Sequence, residues 1–146
     1  MRNYRRSMAG VFAAVVVIGG LLTNPAMADV NSVQFLPSGA PTGRLVQPRG
    51  YAGAIAVNVV VRVACGQNQG VTVNVTVSQA VGTKMARATG RGMRMCHPSL
   101  LLAIPIRAGV KTGPVFPTPG SATAVAVAKT STNTLSTGAV TITLVK

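Results

Sequence analysis

Apolar and polar residues alternate along two adjacent runs near the centre of the chain. From Ile55 to Val63 every second residue is apolar, and from Val71 to Val77 valines alternate with threonine and asparagine. Successive side chains of a β-strand point to opposite faces, so this pattern predicts two strands, each with one buried and one solvated face. The polar link over residues 66–70 contains glycine at both ends, which predicts a hairpin between the two runs.

Further segments show weaker forms of the same pattern. The additional strand candidates are residues 32–36, 84–89, 93–96, 100–107, 122–129 and 139–145. The segment 84–89 is polar, which favours a sheet edge, and Pro105 favours an edge or a bulge because it lacks an N–H donor. Residues 38–50, 109–120 and 130–138 are rich in turn formers or in Ser and Thr, and we expect them to be loops.

About seven strands and no helical periodicity predict an all-β fold. We expect a single immunoglobulin-like antiparallel β-sandwich, in which two sheets enclose one core. An N-terminal strand and a long loop would occupy residues 29–53, and the core of the domain would occupy residues 54–146.

The first 28 residues have the features of a cleaved secretory signal peptide. Three arginines precede an apolar run over residues 8–22, which is shorter than the about 20 residues of a membrane-spanning helix. The expected signal-peptidase site comprises Ala26, Ala28 and Asp29. The alternative is an uncleaved N-terminal anchor. The Arg5-Arg6 pair leaves twin-arginine export open, although its sequence context favours the general route.

Two cysteines, Cys65 and Cys96, remain after the expected cleavage. In an exported chain an even number of cysteines predicts a disulfide. The chain-entropy model gives about 3–4 kcal/mol for closing a loop of this length. This contribution matters because Phe35, Tyr51 and Phe116 are the only aromatic residues after position 28.

The charge of the chain is strongly one-sided. Its formal net charge is +13 at pH 7, and Asp29 is the only acidic residue. Such a surface attracts anionic polymers. The densest cluster, a candidate anion-binding patch, contains Lys84, Arg87, Arg91 and Arg94. An alternative interpretation is that these charges protect a sheet edge from pairing with other strands. The cluster has no aromatic residues for base stacking, so we expect no specific nucleic-acid binding.

The composition excludes most catalytic and metal-binding arrangements. One acidic residue and one histidine, His97, cannot supply the carboxylate pair of a glycosidase or the ligands of a calcium or zinc site. A Ser-His-Asp triad would have to recruit Asp29 and His97 from distant positions. We therefore expect a non-enzymatic protein without catalytic residues, metal or cofactor.

The order of these features resembles that of a known group of proteins. A valine strand ends at Cys65-Gly66, VTVNVTVSQ follows from Val71, and a glycine-bearing polar segment leads to Cys96. Over residues 54–129 the chain resembles small secreted actinobacterial proteins with one immunoglobulin-like β-sandwich, largely of unknown function. It differs from them in having His97-Pro98 after the second cysteine and no C-terminal cysteine pair. The core tryptophan of true immunoglobulin domains is also absent.

Three functional hypotheses remain. The first is a secreted, non-enzymatic domain that binds an anionic polymer of the cell envelope or a protein partner. The second is a pilin-like structural subunit that assembles by strand exchange, with residues 32–36 or 140–145 as the donated strand. The third is a cationic effector that acts on membranes or polyanions, which only the charge supports.

Overall fold

The computed structural model describes residues 30–66, 69–97 and 100–146 of the chain. The expected signal peptide and its cleavage site, Ala26, Ala28 and Asp29, lie outside the described residues. The described residues contain nine strands and no helix, which confirms the prediction of an all-β fold. None of them therefore belongs to a helix with the length and hydrophobicity that a membrane crossing requires.

The strands follow one another along the chain with short connections. They are β1 (Val30–Phe35), β2 (Thr42–Val46), β3 (Ala56–Cys65), β4 (Gly70–Val81), β5 (Lys84–Met95), β6 (Leu101–Val110), β7 (Gly120–Lys129), β8 (Thr134–Ser136) and β9 (Val140–Val145).

Seven of these strands form a closed barrel. Their order is β3-β2-β9-β7-β4-β5-β6, and β6 pairs back with β3. Strand β1 continues the line of β2 along β3, and β8 pairs with the end of β7. The expected immunoglobulin-like sandwich of two separate sheets is not confirmed, because the sheet is continuous around the core.

Two short pairings close the barrel. Strands β5 and β6 pair only at Ala88↔Val110 and Thr89↔Gly109, and β2 and β9 pair in parallel over Thr42–Arg44. Beyond Thr89, β5 stays paired with β4 and lies against β6 without further backbone pairing. The edge predicted for residues 84–89 is confirmed only in part: residues 84–87 have no partner on the β6 side, but Ala88 and Thr89 pair with β6.

Alternating valines of two strands form a large part of the core. Val57, Val59, Val61 and Val63 of β3 are buried, as are Val71, Val73, Val75 and Val77 of β4. On β5 and β7 the inward positions are mainly alanine, which allows the walls of the barrel to approach closely. Phe116 is the largest fully buried side chain, and its backbone pairs with that of Ala54.

The predicted hairpin between the two valine runs is wrong. Strand β3 pairs with β1, β2 and β6, whereas β4 pairs with β5 and β7. The two valine runs therefore lie in different walls of the barrel. Both valine rows still enter the same core, so the alternation correctly predicts burial but does not determine which strands pair.

Three further segments differ from the sequence-based prediction. The expected loop over residues 38–50 contains β2, and the Ser/Thr-rich connector over residues 130–138 contains β8. Residues 84–89 and 93–96 belong largely to one long strand, β5. The intervening Gly90 and Gly92 do not break it, because their missing side chains let β5 lie against β6.

The predicted disulfide is confirmed. The sulfur atoms of Cys65 and Cys96 are bonded, and the two Cα atoms lie 5.5 Å apart. Cys65 ends β3, and Cys96 follows β5, so the bond ties these strands together at the end of the barrel where β5 and β6 are unpaired. Disulfides are typical of proteins that fold in oxidising compartments.

Candidate anion-binding site

The predicted cluster of four cations does not form one patch. All four residues lie on β5, but side chains alternate between the two faces of a strand. Arg87 and Arg91 lie four residues apart on the outer face of the strand, and both are exposed. Lys84 and Arg94 belong to the other face of the strand, the face of the buried Ala86 and Ala88. They are exposed because they lie near the two ends of the strand. The structure therefore groups only Arg87 and Arg91.

The outer face around Arg87 and Arg91 is rich in hydroxyl and amide side chains. Arg87 lies opposite Ser78, and Arg91 lies opposite Asn74 on β4. One small polar depression of about 450 Å³ adjoins Arg91, with Lys129 on its other side. The depression is lined mainly by cations and hydrogen-bonding side chains, including Thr72, Asn74 and Ser131.

A larger depression lies on the outer surface of a different wall, formed by β2, β3, β6 and the segment after β1. Its volume is about 790 Å³, within the range of small-molecule sites, and it is open to solvent. We call it the arginine depression. Residues that line it include Leu36, Arg44, Val60, Arg62, Pro105 and Arg107.

Strand register places the cations of the arginine depression on either side of an apolar row. Arg44, Asn58 and Arg107 lie side by side on β2, β3 and β6. The next outward row contains Val60 and its partner Pro105, and the Leu36 N–H donates to the Val60 carbonyl at 2.9 Å. Directly opposed residues point to the same face, so each row forms a continuous strip of side chains.

Arg62 lies on the far side of the apolar row. It is four residues from Asn58 on the same strand, a distance of about 13 Å. With the Gln34 amide turned so that its oxygen faces Arg62, this oxygen accepts a hydrogen bond from Arg62 Nε at 2.9 Å. Arg62 also donates to the Ser38 hydroxyl at 3.4 Å. These contacts hold Arg62 half-buried, whereas Arg44 and Arg107 are exposed.

Pro105 shapes the apolar floor of the arginine depression. Because the Val60 carbonyl faces Leu36, the Val60–Pro105 pair exchanges no ladder hydrogen bonds. The proline nitrogen therefore faces the edge of β6 that is unpaired with β5, as the missing N–H predicts. The floor thus presents the Pro105 ring and the Val60 side chain, and Pro105 contributes no N–H donor to it.

No Asp or Glu side chain neutralises these arginines within the described residues, because the only acidic residue of the chain, Asp29, lies outside them. The potential over the depression is therefore positive, and a concave low-dielectric surface focuses it. Guanidinium groups bind carboxylate and phosphate oxygens through paired N–H donors. Chemically, the arrangement can bind an anion and exclude a cation.

Sequence reasoning missed the arginine depression because its residues are distant along the chain. Arg44 falls in a segment expected to be a loop, and the register of β3 with β6 brings Arg107 beside Asn58. The sequence did show that Asn58 and Arg62 alternate with the buried valines and so point outward. It identifies a polar face but not the strands that adjoin it.

The described residues offer no other constellation with recognised chemistry. Across residues 30–66, 69–97 and 100–146, no three His, Cys, Asp or Glu side chains are close enough to hold a metal ion. Both cysteines are joined in the disulfide, so neither is a free thiol.

Comparison with known proteins yields no relative: no family model, no curated protein and no solved structure matches this chain.

Proposed function

We propose that the chain is a secreted, non-enzymatic binding domain that attaches to an anionic component of the cell envelope through the arginine depression. The observation that carries this proposal is the convergence of Arg44, Arg62 and Arg107, from three strands, around one concave surface. Cleavage after Ala28 would release residues 29–146 outside the cell, where the disulfide is stable.

The resemblance to small secreted actinobacterial proteins with an immunoglobulin-like domain supports the same proposal. In this proposal the closed sheet is a flattened immunoglobulin-like sandwich, because the β5–β6 and β2–β9 pairings that close it are short. The domain serves as a rigid scaffold, and the ligand binds on the outer surface of the sheet. Association with the cell wall then follows from the charge of the envelope.

The anion-binding surface differs from the one expected from the sequence. Arg91 adjoins a smaller polar depression of about 450 Å³, whereas Arg44 and Arg107 adjoin one of about 790 Å³ with an apolar floor. A larger depression with an apolar floor removes more ligand surface from water, and this one brings several guanidinium groups to one anion. We therefore assign the specific contact to the arginine depression and only long-range attraction to the cations of β5.

Co-sedimentation with the cell-envelope fraction of the source organism tests this proposal. Wild-type protein would be compared with Arg44→Gln/Arg107→Gln and with Arg87→Gln/Arg91→Gln, which removes the same charge from the other face. We expect the first variant to lose most binding and the second to retain it. Binding should weaken between about 0.05 and 0.5 M NaCl because it is electrostatic. Equal losses in both variants, or no binding by the wild type at low salt, would overturn the proposal.

The pilin-like alternative gains no specific support. Of the two segments considered for strand donation, residues 32–35 pair with β3, and β9 pairs with β2 and β7 of its own chain. Each is thus already used inside the described fold.

A further inference from the structure

We infer that the arginine depression binds a single-chain amphiphile with a phosphate monoester head, such as an alkyl phosphate. The head lies between Arg44 and Arg107, and the alkyl chain lies over Val60 and Pro105. This inference rests on the proposed function, because it specifies the ligand of the same depression.

The geometry of the head position favours phosphate. Arg44 and Arg107 flank Asn58 across two inter-strand spacings, about 10 Å between their Cα atoms. Two long side chains on this spacing can direct their guanidinium groups at one anion, and the Asn58 amide adds a further donor. A phosphate monoester has a charge of about −2 at neutral pH, which two guanidinium groups balance. A carboxylate has a single negative charge and would balance only one guanidinium group.

The floor beside the head position favours an alkyl chain. Val60, Pro105, Leu36 and Pro37 supply its apolar surface, and the two prolines have no N–H. A polyhydroxylated chain placed there would lose hydrogen bonds to water without replacement. None of the lining residues is aromatic, so a sugar ring or a base would also find no stacking surface.

The far end of the floor limits the site to one chain with one head. Arg62 already donates to Gln34 and Ser38, so it is less available than Arg44 or Arg107 for a second strong anion contact. The span from Asn58 to Arg62, about 13 Å, is occupied by the apolar row around Val60. An alkyl chain from the head position can turn onto this row and lie over Leu36, Val60 and Pro105, within the volume of about 790 Å³.

Isothermal titration calorimetry tests the inference with three probes below their micelle concentrations. The protein would be expressed from the full-length sequence and purified in its exported, oxidised form. We expect dodecyl phosphate to bind in a saturable manner at least about tenfold more tightly than hexyl phosphate, because each buried methylene contributes to affinity. Dodecyltrimethylammonium, with the same chain and a cationic head, should not bind. Equal binding of the anionic and cationic amphiphiles would overturn the inference without any variant.

Two variants separate the head position from the chain position. Arg44→Gln/Arg107→Gln should weaken dodecyl phosphate at least about tenfold, as expected for loss of charge-assisted hydrogen bonds. Val60→Thr should weaken dodecyl phosphate several-fold because it places a hydroxyl in the apolar row. The matched controls are Arg87→Gln/Arg91→Gln and Val125→Thr, which make the same changes on the opposite face. Equal losses in the controls would overturn the assignment to this depression.

The outcomes also separate this inference from the proposed function. If the envelope fraction binds in an Arg44- and Arg107-dependent manner but dodecyl phosphate does not, the ligand class is wrong and the proposed function stands. If dodecyl phosphate binds as expected but the envelope fraction does not, the ligand class is supported and the envelope role is wrong. If neither binds, both are overturned.

Discussion

Gly90 of β5 lies directly against the backbone of Arg107 on β6. A Cβ atom at Gly90 would come within 2.9 Å of the Ala108 Cα atom and closer still to the Arg107 carbonyl oxygen. These neighbours are backbone atoms and cannot rotate away. The contact lies just beyond the short β5–β6 pairing that closes the barrel, so its spacing affects closure.

Gly90→Ala is therefore expected to destabilise the fold by about 1–3 kcal/mol, as overpacking does in other cores. Urea unfolding of the oxidised protein measures the change. Gly109→Ala is the matched control, because a Cβ at Gly109 would meet no atom within 4 Å. A Gly90→Ala variant as stable as the Gly109→Ala variant would show that β5 and β6 do not approach as described.

Reduction of the Cys65–Cys96 bond is expected to lower the free energy of unfolding by about 3–4 kcal/mol. The bond restricts the unfolded chain and also fastens β5 where it has no partner on the β6 side. Urea unfolding with and without reductant measures the change, and a Cys65→Ala/Cys96→Ala variant supplies the control that should not respond to reductant. Identical unfolding midpoints for the oxidised and reduced protein would contradict the prediction.

Phe116→Ala is expected to destabilise the protein by about 3–5 kcal/mol, the usual cost of emptying a large buried aromatic site. Phe116 is fully buried, and the core around it consists mainly of small residues that cannot refill the space. Tyr51→Ala is the control, since Tyr51 is 55% exposed and should change stability by less than about 0.5 kcal/mol. Similar losses for the two variants would place Phe116 outside the core.

Asn133 fastens the start of β1 to the connection between β7 and β8. Its Oδ1 atom accepts from the Val30 N–H at 2.9 Å, and its Nδ2 group donates to the Val30 carbonyl at 3.2 Å. Asn133→Ala should therefore speed hydrogen exchange at the Val30 amide and lower stability by about 1–2 kcal/mol. Asn31→Ala, at an exposed position of β1, is the control and should alter neither quantity. Unchanged exchange at Val30 in Asn133→Ala would contradict the two hydrogen bonds.

Local periodicity predicted the strands and the core because it depends only on neighbouring residues. The alternation from Val71 to Val77 indicates a buried face wherever the strand pairs, and every valine in it is buried. The disulfide was predictable from cysteine number and the expected export. Pairing was not predictable in this way, since β3 and β4 have the same pattern yet lie in different walls of the barrel.

The candidate site depends on pairing, so it was harder to predict than the core. The four cations of β5 are close in sequence, but the alternation of side chains separates Lys84 and Arg94 from Arg87 and Arg91. Arg44 and Arg107 are far apart in sequence and become neighbours only because both strands pair at Asn58. Short-range charge density therefore indicated β5, whereas the arginine depression, which we propose as the specific site, arises only from strand pairing.

The most direct test of the anion-binding surface is an NMR titration of the isotopically labelled, oxidised protein with short-chain polyphosphate. Amide shifts in ¹H–¹⁵N spectra report where the anion binds. We predict saturable shifts that are largest at Arg44, Asn58 and Arg107 and small at Arg87 and Arg91. Shifts that are largest along β5, or that spread evenly over all exposed cations, would contradict the assignment of the specific site to the arginine depression.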